Sequence, residues 1–307
     1  MTAKLLEGAP LAEKINAETK KKAEDFAAKK GRPPKLVAVQ VGTADPGTKF
    51  YVKGQKKSAE AAGVNHELAE MPADISEEQL LARIREMNSD DGVDGILLLV
   101  PLPEHIDARR VQVEIAPDRD VEGMHPENLG KLFYGNQVVA PCTAMSALEL
   151  IRSTGLDLSG KEVVILGHSE IIGKPLAMLL LQSLNDSATV TVAHVATSKA
   201  NMRDFHTGRA EILVSAMGYK PRVITADIVK EGAVVIDVAT MQEPALDEQG
   251  NPLLTKKGKP KKRQIGDVDF EPVLEKAGYL SPVPGGVGTV TSTILMRNCV
   301  DLAAARL

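Results

Sequence analysis

Short apolar runs separated by stretches of helical periodicity constrain the fold of this chain more than any other feature. Residues 35–41, 95–100, 161–166, 188–193, 212–216 and 233–238 are each short enough for one strand and, in most cases, apolar enough for burial on both faces. Helical patterns lie between them. Over residues 11–30, Leu11, Ile15 and Phe26 sit among Ala, Glu and Lys until Gly31 and the Pro33-Pro34 pair stop the helix. Residues 51–62 predict a second helix, ending at Gly63 with Tyr51 near its N-terminal end. Ser76-Glu77-Glu78-Gln79 is a capping-box pattern ahead of Leu80, Leu81 and Ile84. Strands alternating with helices imply parallel α/β sheets, whose ligands gather at the carboxyl ends of the strands. In the first half those ends are Val41-Gly42 and Val100-Pro101.

At 307 residues the chain has room for two domains. A helix over 144–153 is followed by a complete new αβ series, so the boundaries are expected at 1–145, 146–280 and 281–307. A net charge of −4 over this length gives no global attraction to nucleic acid or membrane, and the basic run 256–263 is local. The absence of Trp argues against a stacking platform for single strands. Cys142 and Cys299 have no metal-ligand spacing, and nothing at the N-terminus has the pattern of a signal peptide or membrane span. The expectation is a cytoplasmic protein with reduced thiols, no metal and small soluble partners. No repeat of fixed length is present.

Four segments are candidates for chemistry. The strand 161–166 runs into Gly167-His168-Ser169-Glu170-Ile171-Ile172-Gly173, where glycines let the backbone approach a diphosphate at a helix start. The spacing differs from G-x-G-x-x-G, so a plain tight turn is an equally good reading. No Asp or Glu ends the second strand of this series to hold a ribose 2′-hydroxyl. Residues 280–293 place Pro282, Pro284, Gly285, Gly286 and Gly288 in a shaped loop feeding a terminal helix, with Thr291, Ser292 and Thr293 as cap candidates. Residues 117–126 carry Asp118, Asp120, Glu122 and His125, for which a solvated turn is the expectation. Residues 242–264, with Gly250-Asn251-Pro252 and Gly258, predict an exposed hairpin or excursion.

Taken together, Pro282-Val283-Pro284-Gly285-Gly286-Val287-Gly288, Gly167-x-Ser169-x-Ile171-x-Gly173-x-Pro175, Pro141-Cys142-Thr143 and Gly266-Asp267-Val268 resemble one family over essentially the whole chain. It is the bifunctional methylenetetrahydrofolate dehydrogenase/methenyltetrahydrofolate cyclohydrolase family. The resemblance implies a two-domain α/β homodimer. Its N-terminal folate-side domain is a three-layer α/β structure, its second domain is Rossmann-like, and its last helix packs back on the first.

The resemblance also implies roles. Tyr51 matches a Tyr that stacks on folate, and the family's cyclohydrolase Lys, four residues later on the same helical face, is Gln55 here. The family's Gln and Asp at this site are Leu99 and Glu122. Substrate contacts fall on Tyr51, Glu122, Pro284, Gly285 and Gly286, and cofactor contacts on Gly167, His168, Ser169, Ile171, Gly173 and Val195. Relatives that prefer NADP often carry Arg at 168 and Ser at 195, so His168 and Val195 leave both NADP and NAD open. Hydride transfer needs chiefly orientation, whereas hydrolysis needs an activated water that a neutral amide does not supply. The first expectation is therefore a dehydrogenase with weak or absent cyclohydrolase. The alternatives are the full bifunctional enzyme and a retired, folate- or nucleotide-binding regulator.

Overall fold

The computed structural model describes residues 2–183, 187–247, 249, 251–255 and 258–307. In chain order the elements begin with β1 (Lys4–Leu5), α1 (Gly8–Lys30), β2 (Lys35–Val41), α2 (Pro46–Ala62), β3 (Asn65–Met71), α3 (Glu77–Ser89) and β4 (Gly95–Leu98). Next come α4 (Ala108–Glu114), α5 (Pro126–Tyr134), α6 (Cys142–Arg152), β5 (Glu162–Leu166), α7 (Gly173–Leu180), β6 (Thr189–Ala193), α8 (Val195–Lys199) and α9 (Arg203–Thr207). The series closes with β7 (Ile212–Ser215), β8 (Val234–Asp237), β9 (Met241–Pro244), β10 (Lys262–Ile265), α10 (Phe270–Leu274), β11 (Tyr279–Leu280) and α11 (Val287–Ala305). The chain forms two compact units, one of residues 1–9 with 146–289 and the other of residues 10–145 with 290–307.

The second of these units is built on a parallel sheet in the order β3-β2-β4. Val37 and Val39 on β2 and Ile96 and Leu98 on β4 bury one face against Leu80, Leu81 and Ile84 of α3 and Val111 of α4. Fully burying each of these side chains is worth about 1.5–3 kcal/mol. The capping box forms as expected, with Gln79 N donating to Ser76 Oγ at 3.2 Å and Ser76 N donating to Gln79 Oε1 at 3.0 Å. Helix α2 starts earlier than the sequence suggests. Asp45 accepts from Gly47 N at 2.6 Å and so caps it, which puts Tyr51 more than a turn inside the helix rather than at its end. Helix α11 likewise starts at Val287, so Thr291, Ser292 and Thr293 are interior residues and not caps. From residue 290 onward α11 belongs to this unit, where Asn298 Nδ2 donates to Val121 O at 2.8 Å and Ala140 O at 3.1 Å.

The other unit carries a six-stranded sheet, β1-β11-β8-β7-β5-β6, with every pairing parallel. β5, β7 and β8 are buried throughout, apart from Glu162 at the start of β5, which explains their continuous apolar runs. The excursion after β8 is a hairpin, with β9 and β10 antiparallel and further bridges at Leu246–Pro252 and Leu254–Pro260. Gly250 of its expected turn and Lys256 and Lys257 of the basic run lie outside the described residues.

Candidate functional site

In the sheet order β6-β5-β7 the chain passes from β5 to β6 on one side and then returns to β7 on the other, and the crevice at the carboxyl ends of strands at such a reversal is where open α/β sheets take ligands. A cavity of about 910 Å³ lies there. Its wall includes the expected Gly167, His168, Ser169 and Val195, joined by His194, Ser198, Lys199 and Arg203. Gly167 has φ +123°, and a Cβ on it would come within 2.7 Å of Ala216 O. A Cβ on Gly173 would overlap the Gly167 carbonyl oxygen. Both glycines therefore let the loop fold tightly onto its own backbone, and of the two only Gly167 is on the cavity wall. Ile171 is 54% exposed and is not on the cavity wall. The imidazoles of His168 and His194 lie 4.7 Å apart, centroid to centroid. A hollow whose lining combines the Gly167 loop with Lys174, Lys199 and Arg203 could hold a dinucleotide, which would meet Gly167 to Ser169 with its phosphates.

Tyr51, Gln55 and Glu122 come together in the other unit. Gln55 is fully buried, and its Oε1 lies 3.0 Å from His66 Nε2 on β3. The Gln55 amide nitrogen has no well-formed hydrogen bond among the described residues, though it is near enough to the Tyr51 hydroxyl to oppose part of that group's rise in pKa. Burial, then the nearby Glu122 and Cys142, hold the Tyr51 hydroxyl well above its ordinary range. Protein packed around the Glu122 carboxyl, together with the charge of Asp120, pushes it up to about 8, although part of the residue still reaches the surface. Residues paired in register share a face, so His66 projects with Leu36 and Leu97, and strand alternation puts Leu99 on that face too. Leu99 is buried and prolongs the ladder by donating its N–H to Val39 O at 2.9 Å.

The loop before Glu122 is not a solvated turn. Asp120 is fully buried and accepts hydrogen bonds from His125 N at 2.7 Å, Asn128 Nδ2 at 3.0 Å and Gln112 Nε2 at 3.2 Å. Those bonds offset part of its desolvation, although burial still holds its carboxyl above the ordinary range, and they fix the backbone that carries Glu122. Pro284, Gly285 and Gly286 belong to the dinucleotide-type unit. There Gly285 has φ +117°, and its carbonyl accepts from Gly8 N at 2.7 Å. Gly286 N is bonded to Pro282 O at 2.8 Å, so this amide is used by the loop itself. Pro284 lines a hollow of about 520 Å³ that also includes Arg222, Asp237 and Arg263. Asp237 accepts from Val268 N at 2.8 Å and is nevertheless pushed up to about 7 by burial. Among the described residues no group of His, Cys, Asp and Glu is arranged to hold a metal ion. No described helix is long and apolar enough to cross a membrane.

Comparison with known proteins shows the family. The family model "Tetrahydrofolate dehydrogenase/cyclohydrolase, catalytic domain" matches residues 6–122, and its companion "NAD(P)-binding domain" matches residues 141–307. The Bifunctional protein FolD of Bacillus thuringiensis (strain Al Hakam) is 42% identical over 303 residues, covering 99% of this chain and 97% of that one. The solved bifunctional FolD methylenetetrahydrofolate dehydrogenase/cyclohydrolase of Campylobacter jejuni superposes with a TM-score of 0.85 at 36% identity, covering 99% and 100% of the two chains. The dehydrogenase-cyclohydrolase of Trypanosoma brucei, solved with NADP cofactor and inhibitor, gives 0.87 at 33% identity, covering 100% and 99%. The chain belongs to the tetrahydrofolate dehydrogenase/cyclohydrolase family.

Proposed function

We propose that this chain is a methylenetetrahydrofolate dehydrogenase with weak or absent cyclohydrolase activity. The observation that carries the proposal is Gln55, a fully buried neutral amide whose oxygen is tied to His66 where the family places a reactive Lys. Tyr51 stacks on the folate, Glu122 meets the pterin amino edge, and Pro284 to Gly286 shape the folate wall. Gly167, His168, Ser169 and Val195 hold the dinucleotide, which when bound supplies the hydride acceptor. Orientation of the one-carbon bridge is then most of what the protein must provide. Hydrolysis of the methenyl bridge asks for more, because a water must lose a proton at the moment it attacks. An amide has no accessible pKa for that task, and Leu99 offers no polar group beside it.

A second reading, the full bifunctional enzyme, is favoured by the names of the relatives, which carry both activities. Under that reading His66 is the water-activating base. Burial, then Lys56, holds it below its ordinary range and so neutral at pH 7. The proposal also takes the protein as a cytoplasmic homodimer, as the family resemblance implies. Purified protein titrated with methylenetetrahydrofolate and each nicotinamide tests the dehydrogenase reading. Reduced cofactor formed at enzymatic rates is the expected result, and binding of both ligands without turnover would leave only a retired regulator.

A further inference from the structure

We infer that Lys199 and Arg203 recognise a 2′-phosphate on the adenosine ribose, making the chain selective for NADP over NAD although His168 and Val195 replace the donors that NADP-preferring relatives often carry. The inference rests on reading the 910 Å³ cleft as the NAD(P) site and specifies its ligand further. In a dinucleotide fold the end of the second strand faces the adenosine ribose, and an acid there accepts from the 2′-hydroxyl while repelling a 2′-phosphate. Strand β6 is that strand, and its last residue, Ala193, leads into His194-Val195-Ala196. No acid stands there. Among the described residues the one acid on the cleft wall is Glu170, which is paired with Lys174 at 2.7 Å.

Cations have collected at the same end instead. Lys199 is one helical turn beyond Val195 and lines the cleft with Ser198. Lys199 makes no hydrogen bond or ion pair with any described residue, so its ammonium is available. Arg203, at the start of α9, lines the cleft as well, and among the described residues only its Nε is engaged, by Asp204 at 2.7 Å. Its two terminal nitrogens can present a fork to phosphate oxygens. Neither residue has a local pattern that marks it; the short helices α8 and α9 after β6 bring both to the cleft.

Calorimetric titration with adenosine 2′,5′-bisphosphate and with AMP isolates the 2′-phosphate, and involves neither folate nor turnover. The dehydrogenase reading can fail without affecting the outcome. Wild type is expected to bind the bisphosphate at least about tenfold more tightly than AMP, a ratio that falls as salt rises. Lys199→Ala and Arg203→Ala should each lower bisphosphate affinity about three- to tenfold and leave AMP affinity unchanged, which also reports a folded cleft. Lys199→Arg should retain the preference. Equal affinity of wild type for the two probes overturns the inference. So does a preference that survives in the double variant, or a loss of affinity for AMP as large as that for the bisphosphate.

Discussion

Glu122→Gln should remove a specific part of the protein's pH dependence. The carboxyl has an ordinary value of 4.5 and is pushed up to about 8 by burial and by Asp120, so the folded chain binds its proton more tightly than the unfolded chain. Below pH 4.5 the residue is protonated in both states and imposes no penalty. Between 4.5 and 8 the unfolded state releases the proton first, so stability falls as pH rises, and above 8 the full penalty is present. At about 1.4 kcal/mol per pH unit the ceiling would be several kcal/mol; because Glu122 is partly exposed, about 2–3 kcal/mol is the expected size. Denaturant unfolding of wild type and Glu122→Gln at pH 5 and pH 9 measures it. The variant should be about as stable as wild type at pH 5 and more stable by that amount at pH 9. Asp237, pushed up to about 7, contributes a slope of the same sign to both proteins and cancels in the difference. Parallel pH profiles for the two proteins would refute the argument that Glu122 is desolvated in the folded state.

Gly173→Ala should act on stability and cofactor together. The added methyl overlaps the Gly167 carbonyl oxygen, which is backbone and cannot swing away, so a loss of about 3 kcal/mol is expected, or a melting fall of roughly 6–12 °C. An unchanged melting temperature with normal nucleotide binding would show that the turn has slack. At the folate positions, Gln55→Lys alone should gain little methenyltetrahydrofolate hydrolysis, because Leu99 gives the ammonium no polar neighbour and Glu122 can hold it protonated. Gln55→Lys with Leu99→Gln and Glu122→Asp should gain clearly more than the single changes combined, read as loss of methenyl absorbance above the buffer rate.

The parts of the fold legible in the sequence are those in which burial leaves a local trace. Strands β2, β5, β7 and β8 are covered on both faces and so appear as continuous apolar runs. Strand β3, Asn-His-Glu-Leu-Ala-Glu-Met, has no such run because it is a half-buried edge strand, and the sequence hides it for that reason. His66 is hidden with it, since its approach to Gln55 depends on parallel pairing of β3 with β2. Asp120 has the composition of a turn, and only the three donors around it reveal a buried carboxylate. Glycines that permit close backbone approach are legible at Gly167 and Gly173. Lys199 and Arg203 are not, because a surface cation and a cleft cation look alike until the chain is folded.

The central claim is that hydride transfer is kept while water activation is lost at Gln55. The most direct measurement gives purified protein methylenetetrahydrofolate and NADP and records reduced cofactor and methenyltetrahydrofolate in the same reaction. Retained transfer without hydrolysis predicts that the methenyl product accumulates in step with reduced cofactor and then decays no faster than in buffer. Reduced cofactor without accumulation of the methenyl product, with rapid decay when that product is supplied alone, would contradict it.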